Sequence, residues 1–233
     1  MQTLRIEKYL AEQGIVSRRE AKSYLEQGFV MVNKLKATTG QKIDPEVDMV
    51  SIDQKAVEEI GNKTTVAVYK PRGVISSHDT DRGKNIFDVF PQFAKLHTVG
   101  RLDKEREGLI LLSDNGLVTR AVTNNNHLIE KEYHVTVREN VHTWMMKKMS
   151  EGMELEDGWT LPATAKKLDT HRFSITLEEG RKHQIRRMSN ACKLTIESLK
   201  RVRVHNISAL GMMAGNVKNI EPHILEEIKT IGR

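Results

Sequence analysis

Cysteine is almost missing from this chain: Cys192 stands alone among 233 residues. A single thiol excludes an intramolecular disulfide and any metal site made of several cysteines, and Cys192 is expected as a small core residue. The nine histidines are scattered, and no His-x-x-x-His pair puts two imidazoles on one helical face, so no metal is expected. Aromatic residues are only 5% of the chain, which leaves little for stacking sugars. No apolar run approaches the roughly 20 residues needed to span a bilayer, and no membrane partner is expected. The start, Met1 to Lys8, has no basic segment followed by an apolar one, so no secretory signal is read and a cytoplasmic location is the expectation.

What is present is a globular composition, 38% hydrophobic and 29% charged. The 37 Lys and Arg outnumber the 31 Asp and Glu, for a net charge of +6 that suits a polyanionic partner. The chain is organised around Gly100 to Gly116, where a polar loop carrying Asp103 runs into Leu109-Ile110-Leu111-Leu112 and then Asp114-Asn115-Gly116. The aliphatic run reads as a buried strand, which holds Asp103 on a loop anchored to core, a usual mounting for chemistry. Between Arg101 and Lys104, however, an Asp is more often a surface ion pair of little worth.

The N-terminal stretch reads as two short helices and a small sheet. Ile6, Tyr9 and Leu10 fall at helical spacing, with Gly14 as a stop. Ser17-Arg18-Arg19-Glu20 is a capping box opening a second helix to about Gln27. Phe29 to Asn33 reads as a strand, and Gln54 to Lys63, short and mixed in charge, as a linker. Beyond it, strands are expected over Thr65–Tyr69, Val74–Ser77, from Tyr133 to Val137, Ala163–Leu168 and Arg172–Leu177. Helices are expected from Leu117, over Val141–Glu151 with Trp144 on the apolar side, and over Glu221–Ile231. Basic residues collect at Arg18, Arg19, Lys22 and Lys34, and again over Arg181 to Arg187 with a second basic strand at Leu199 to His205.

Gly100-Arg101-Leu102-Asp103 followed by Gly108-Leu109-Ile110-Leu111-Leu112 resembles the catalytic-aspartate motif of the pseudouridine synthases, specifically the RsuA/RluB/RluE/RluF group that modifies ribosomal RNA. Glu130-Lys131-Glu132-Tyr133 and Gly180-Arg181-Lys182-His183-Gln184-Ile185-Arg186-Arg187-Met188 resemble two further motifs of that family, and Lys70-Pro71-Arg72-Gly73 a fourth, read here as scaffold only. Arg5-Ile6-x-Lys8-Tyr9-Leu10, Ser17-Arg18-Arg19-Glu20-Ala21 and Gly28-x-Val30-x-Val32-Asn33 resemble the RNA-binding module named after ribosomal protein S4. The resemblance implies an α+β protein: a small S4-like α/β RNA-binding domain over residues 1–60, and a larger, mainly antiparallel mixed-sheet catalytic domain with flanking helices over 61–233.

The reaction implied is isomerisation of a uridine in ribosomal RNA to pseudouridine, with large-subunit 23S rRNA and the RluF-like members favoured, and without a cofactor. Asp103 is then the essential carboxylate, attacking the anomeric carbon or removing a ribose proton. Arg186 is expected to keep it charged through a two-point ion pair, and Tyr133 to stack on the uracil and take the proton from carbon five. RNA contacts are assigned to Arg18, Arg19, Lys22, Lys34, Arg101, Lys131, Arg181, Lys182, His183, Arg187, Lys200 and Arg201. Two features depart from the family: Glu105 and Arg106 stand where an Asp and a small hydroxyl are usual, and Ser189 to Glu197 lacks the glycine expected from relatives. The alternative function is a non-catalytic RNA-binding factor of ribosome assembly on the same fold. A sugar-cleaving carboxylate pair is set aside for want of a second acid. The partner is ribosomal RNA or a ribosomal particle, and a monomer is expected.

Overall fold

The computed structural model describes residues 3–13, 15–78, 81 and 83–232. The stop assigned to Gly14 lies outside them. The chain packs into two compact units. One comprises the residues up to Thr65 together with Ser113–Ala121 and the C-terminal helix Pro222–Ile231; the other comprises Val66–Leu112 and Val122–Ile220.

In the first unit the helices Ile6–Glu12 and Arg18–Glu26 pack their apolar sides, Ile6, Leu10, Ala21, Tyr24 and Leu25, against Val30 and Val32. The strand Val30–Val32 pairs antiparallel with Leu35–Lys36 and Val50–Ile52. The capping box forms as the sequence predicts: Ser17 N donates to Glu20 Oε2 at 2.9 Å, and Glu20 N donates to Ser17 Oγ at 3.3 Å. The expected linker is instead a helix, Gln54–Gly61, with Ala56 fully buried in the unit's core. Lys55 and Glu58 are exposed on it, and a short window reads such mixed charge as loop. Gly116 lies against the capping box so closely that a Cβ would stand 2.3 Å from Ser17 Cβ. Arg120 Nη1 donates to Ala11 O at 2.8 Å, so a segment from mid-chain completes this unit.

The second unit is built on a nine-stranded mixed sheet. Along it run Thr164–Lys167, Arg172–Leu177, Lys131–Val137, Ile196–Val204, Glu107–Ser113, Thr65–Lys70 and Val217–Asn219, while Ile207–Ser208 and His97–Val99 pair onto Ile196–Val204 and Glu107–Ser113. The first three of these strand pairings are antiparallel, whereas Ile196–Val204 runs parallel to Glu107–Ser113, with Arg201 opposite Gly108. Leu109 to Leu112 are fully buried, as their aliphatic run requires. The helix Thr143–Glu151 buries Met145, Met146 and Met149. Trp144 sits off that face and is 56% exposed, contrary to expectation. Val74–Ser77 forms no strand beyond a single bridge between Ile75 and Asn85, because its backbone bonds go to a loop: Ile75 N donates to Lys84 O at 3.0 Å. Among the described residues no helix is long and apolar enough to cross a membrane.

Candidate active site

The loop that carries Asp103 joins the strands His97–Val99 and Glu107–Ser113, and it is fixed through its backbone. Buried Ser76 bonds Leu102 twice, its Oγ donating to Leu102 O at 2.8 Å and accepting from Leu102 N at 3.2 Å. Gly73 N donates to Lys104 O at 2.7 Å. Lys70, at the end of the strand Thr65–Lys70, is wholly buried and spends its ammonium on the carbonyls of Pro71 at 2.9 Å and Arg106 at 2.7 Å. Burial pushes the Lys70 ammonium down to about 8, against the opposing charges of Asp103, Glu105 and Glu107. The Lys70-Pro71-Arg72-Gly73 turn is therefore scaffold in a definite sense: it clamps the loop that bears the carboxylate.

Asp103 itself is 43% exposed. Its Oδ2 lies 2.9 Å from Arg106 Nε and 3.4 Å from His183 Nδ1, and no described group hydrogen-bonds Oδ1. His183 has a left-handed backbone, φ 52°, and caps the start of the helix Gln184–Ala191, which is how it reaches the carboxylate. Arg186 does not pair with Asp103; among the described residues no carboxylate pairs with it, and its Nε is buried without a hydrogen-bond partner. Arg106, absent from the sequence-based assignment, takes the place on Asp103 because it sits three residues along the same loop. Burial lowers the proton affinity of its guanidinium; Asp103 and Tyr133 oppose that shift, and Arg186 and Arg201 add to it. Tyr133 is buried in the strand Lys131–Val137, opposite Ile175 on one neighbour and Arg201 on the other.

Several residues assigned to RNA are otherwise engaged. Arg201 is buried and donates to Leu109 O at 2.7 Å, so it serves the sheet. Arg187 holds Asp157 by two bonds of 2.6 and 3.0 Å, which lowers the carboxyl and raises the guanidinium. Arg181 bonds Glu179 Oε2 at 2.8 Å and the carbonyls of Gly158 and Trp159. Both arginines are consumed by partners more than twenty residues upstream or by a buried neighbour, which spacing along the chain does not reveal. Lys131 is half-buried, donates to Ile129 O at 3.0 Å, and is brought down to about 8 by burial and by Arg201. Lys200 pairs with Glu107 at 2.9 Å, which raises it. Arg101 and Lys182 are exposed and without a partner among the described residues, as are Arg18, Arg19 and Lys34 in the first unit. Among the described residues Lys22 meets only Glu26, at 3.7 Å on an exposed face.

Glu179 is the buried anchor of this region, its side chain 8% exposed. Besides Arg181 it accepts from Gln184 Nε2 at 2.6 Å and Leu161 N at 2.9 Å, tying the helix start to the 153–162 connection. Glu179→Ala strands three donors, and is expected to cost about 3 kcal/mol. A fall in Tm of roughly 6–10 °C in thermal unfolding followed by circular dichroism is the expected reading; a change under about 2 °C would show that water replaces the carboxylate.

Comparison with known proteins completes the picture. Residues 64–191 match the RNA pseudouridylate synthase family, and residues 4–48 match the S4 domain. The chain is 33% identical over 220 residues to the dual-specificity RNA pseudouridine synthase RluF of Escherichia coli K12, covering 94% of this chain and 76% of RluF. It is 30% identical to the ribosomal large subunit pseudouridine synthase B of Bacillus subtilis, covering 97% and 96% of the two chains. A crystal structure of a pseudouridylate synthase superposes with a TM-score of 0.70 at 28% identity, over 97% of this chain and 99% of the other. With the family matched across its central domain, the S4 domain ahead of it and the fold shared over nearly its whole length, this chain belongs to the RNA pseudouridylate synthases of the RsuA/RluF type.

Proposed function

We propose that this protein isomerises one specific uridine of ribosomal RNA, in the large-subunit 23S rRNA, to pseudouridine, with Asp103 as its essential carboxylate. The observation that carries the proposal is the state of Asp103: a backbone-locked loop presents the carboxylate with Oδ2 beside Arg106 and His183 and, among the described residues, no hydrogen bond to Oδ1. An open oxygen on a fixed carboxylate serves either attack on the anomeric carbon or abstraction of a ribose proton. Tyr133, buried in the strand Lys131–Val137, two strands along the sheet from Glu107–Ser113, supplies a ring to stack on the detached uracil and a hydroxyl to accept the proton from carbon five. The target has to leave any helical stack to meet them, so an unpaired or flipped uridine is the substrate. The ribosomal assignment rests on the relatives' own substrates and on the S4 domain; a purely RNA-binding assembly factor has no use for an open, locked carboxylate.

The test is to incubate the protein with unmodified 23S and 16S transcripts and with partly assembled subunits, and to map new pseudouridines by chemical labelling and reverse transcription. A single modified position in 23S rRNA, lost with Asp103→Asn, is expected. A position in 16S rRNA would overturn the large-subunit assignment, and silence on every substrate would overturn the catalytic one.

The exposed, unpaired Arg18, Arg19 and Lys34 are proposed to contact phosphates, which position RNA without reading it. Replacing all three with Gln is expected to make the logarithmic salt dependence of RNA binding shallower by about 2 to 3. Substitution is a cleaner probe than deleting the first sixty residues, since deletion would also uncover Gly116 and Arg120. An unchanged slope in a filter-binding titration would remove these residues from the interface.

A further inference from the structure

Resting on the reading of RNA as the substrate, we propose that Trp159 is a stacking platform for the base of an unpaired nucleotide flanking the target uridine. Trp159 is 66% exposed. It ends a short hairpin whose strands, Glu154–Leu155 and Gly158–Trp159, pair antiparallel with Glu154 opposite Trp159. Two strands alone are marginal in water, yet this hairpin is fastened residue by residue. Arg187 holds Asp157 through bonds of 2.6 and 3.0 Å, and Arg181 donates to Gly158 O at 3.1 Å and to Trp159 O. Buried Thr160 donates its N to Met153 O and accepts Met153 N on its Oγ, both at 3.0 Å. Leu161 N donates to Glu179 Oε1 at 2.9 Å. An exposed ring on an immobilised backbone loses little freedom when a base stacks on it, which is what a binding aromatic requires.

The same anchors tie the ring to the surroundings of Asp103. His183, whose Nδ1 stands 3.4 Å from Asp103 Oδ2, lies between Arg181 and Arg187, so one short stretch of chain carries both the hairpin's fasteners and a contact to the carboxylate. The hairpin, the helix start and the Asp103 loop all belong to the second unit. The charges around the ring select a base over a phosphate. Glu154 and Glu156 are exposed on the hairpin, while Arg181 and Arg187 are engaged with Glu179 and Asp157. That surface disfavours the phosphodiester backbone but not a neutral ring, and every base offers a π-face to an indole. A uridine that leaves the stack to reach Asp103 leaves its neighbours unstacked, and Trp159 gives one of them a new partner.

Filter binding of 23S and 16S transcripts tests this without reference to turnover. Trp159→Ala should weaken binding by about 5- to 100-fold, the range for removing one stacked base. The logarithmic salt slope should stay within about 0.3 of wild type, since no phosphate contact is removed. Trp159→Phe should retain most of the affinity and Trp159→Leu should behave like Trp159→Ala, while Tm changes by less than about 2 °C in all three because the ring is exposed. A loss below about twofold in Trp159→Ala, or equal affinities for the Phe and Leu variants, overturns the stacking role. So does a slope shallower by about 0.7–0.9, which would put a phosphate there instead.

Fluorescence supplies the second test. The chain has two tryptophans, so Trp144→Phe leaves Trp159 as the sole emitter. Its emission should be quenched to saturation by the 23S transcript and by a short single-stranded oligoadenylate; a flat titration with both overturns the proposal. With wild type active on ribosomal RNA, the loss in Trp159→Ala should fall on KM, and a loss confined to kcat would place the ring in the chemistry and overturn the platform. Inactivity of wild type on every ribosomal substrate would remove the isomerase reading, yet the affinities and the quenching would still decide whether Trp159 holds a base.

Discussion

Asp103→Asn is expected to lower turnover by about 10⁴-fold or more while leaving RNA affinity within about threefold. The side chain changes only in charge and in one terminal atom, and everything that shapes the loop acts elsewhere. Ser76 bonds the backbone of Leu102, Gly73 the carbonyl of Lys104, and Lys70 the carbonyl of Arg106. The loop should therefore keep its path. What is lost is the anionic oxygen proposed to attack carbon one or take a proton, and an amide does neither. Arg106 loses its counter-ion, but Asp103 is substantially exposed, so the stability change should stay within about 1–2 kcal/mol. The phosphate-facing residues proposed in the first unit, Arg18, Arg19 and Lys34, are untouched. Single-turnover conversion of the mapped uridine, measured beside filter binding of the same RNA, separates the two effects. Residual conversion within about 100-fold of wild type would show that another group carries the chemistry.

The parts of this site that local sequence encodes were legible. A capping box is four consecutive residues, and Ser17 and Glu20 form it as written. Leu109 to Leu112 can satisfy their apolar surface only as a buried strand, which in turn fixes where the Asp103 loop begins and ends. Tyr133 falls on a strand because alternation starts there. Pairings between distant or competing charges were not legible. Arg181 and Arg187 read as a basic patch, yet Glu179 and Asp157 neutralise them, and Asp157 comes from a short hairpin far upstream. Arg201 reads as a strand cation, but a break in register between Arg201 and Arg203 and the parallel pairing with Gly108 turn its guanidinium inward to Leu109. Arg106 was visible as a departure from the family pattern; that it lies on Asp103 follows from the clamp on its carbonyl, which depends on a lysine thirty-six residues away. The helix Gln54–Gly61 was not legible because Ala56, its one fully buried residue among those whose burial is described, is too little pattern for one face.

Gly108→Ala is expected to be among the most damaging single changes in the chain, costing about 3–5 kcal/mol. Gly108 joins the Asp103 loop to the buried strand, with φ at +117°, a backbone conformation that side chains rarely adopt. An added Cβ would also stand 2.2 Å from Arg201 O and 2.7 Å from Arg201 N, and neither can swing aside because Arg201 is paired opposite Gly108 in the sheet. Relief requires the two parallel strands to separate at the point where Arg201 Nε bonds Leu109 O and where Tyr133 sits across from Arg201. The damage should therefore reach both stability and the proposed site: Tm is expected to fall by about 10 °C or more, with turnover lost even in the fraction that stays folded at low temperature. Gly158→Ala distinguishes strain from collision. Its φ is +99°, but nothing lies within 4 Å of the added carbon, so only the backbone term of about 1–3 kcal/mol applies. Equal Tm losses in the two variants would mean that the strand pairing yields to the methyl group, and the contact with Arg201 would then not be what demands glycine at position 108.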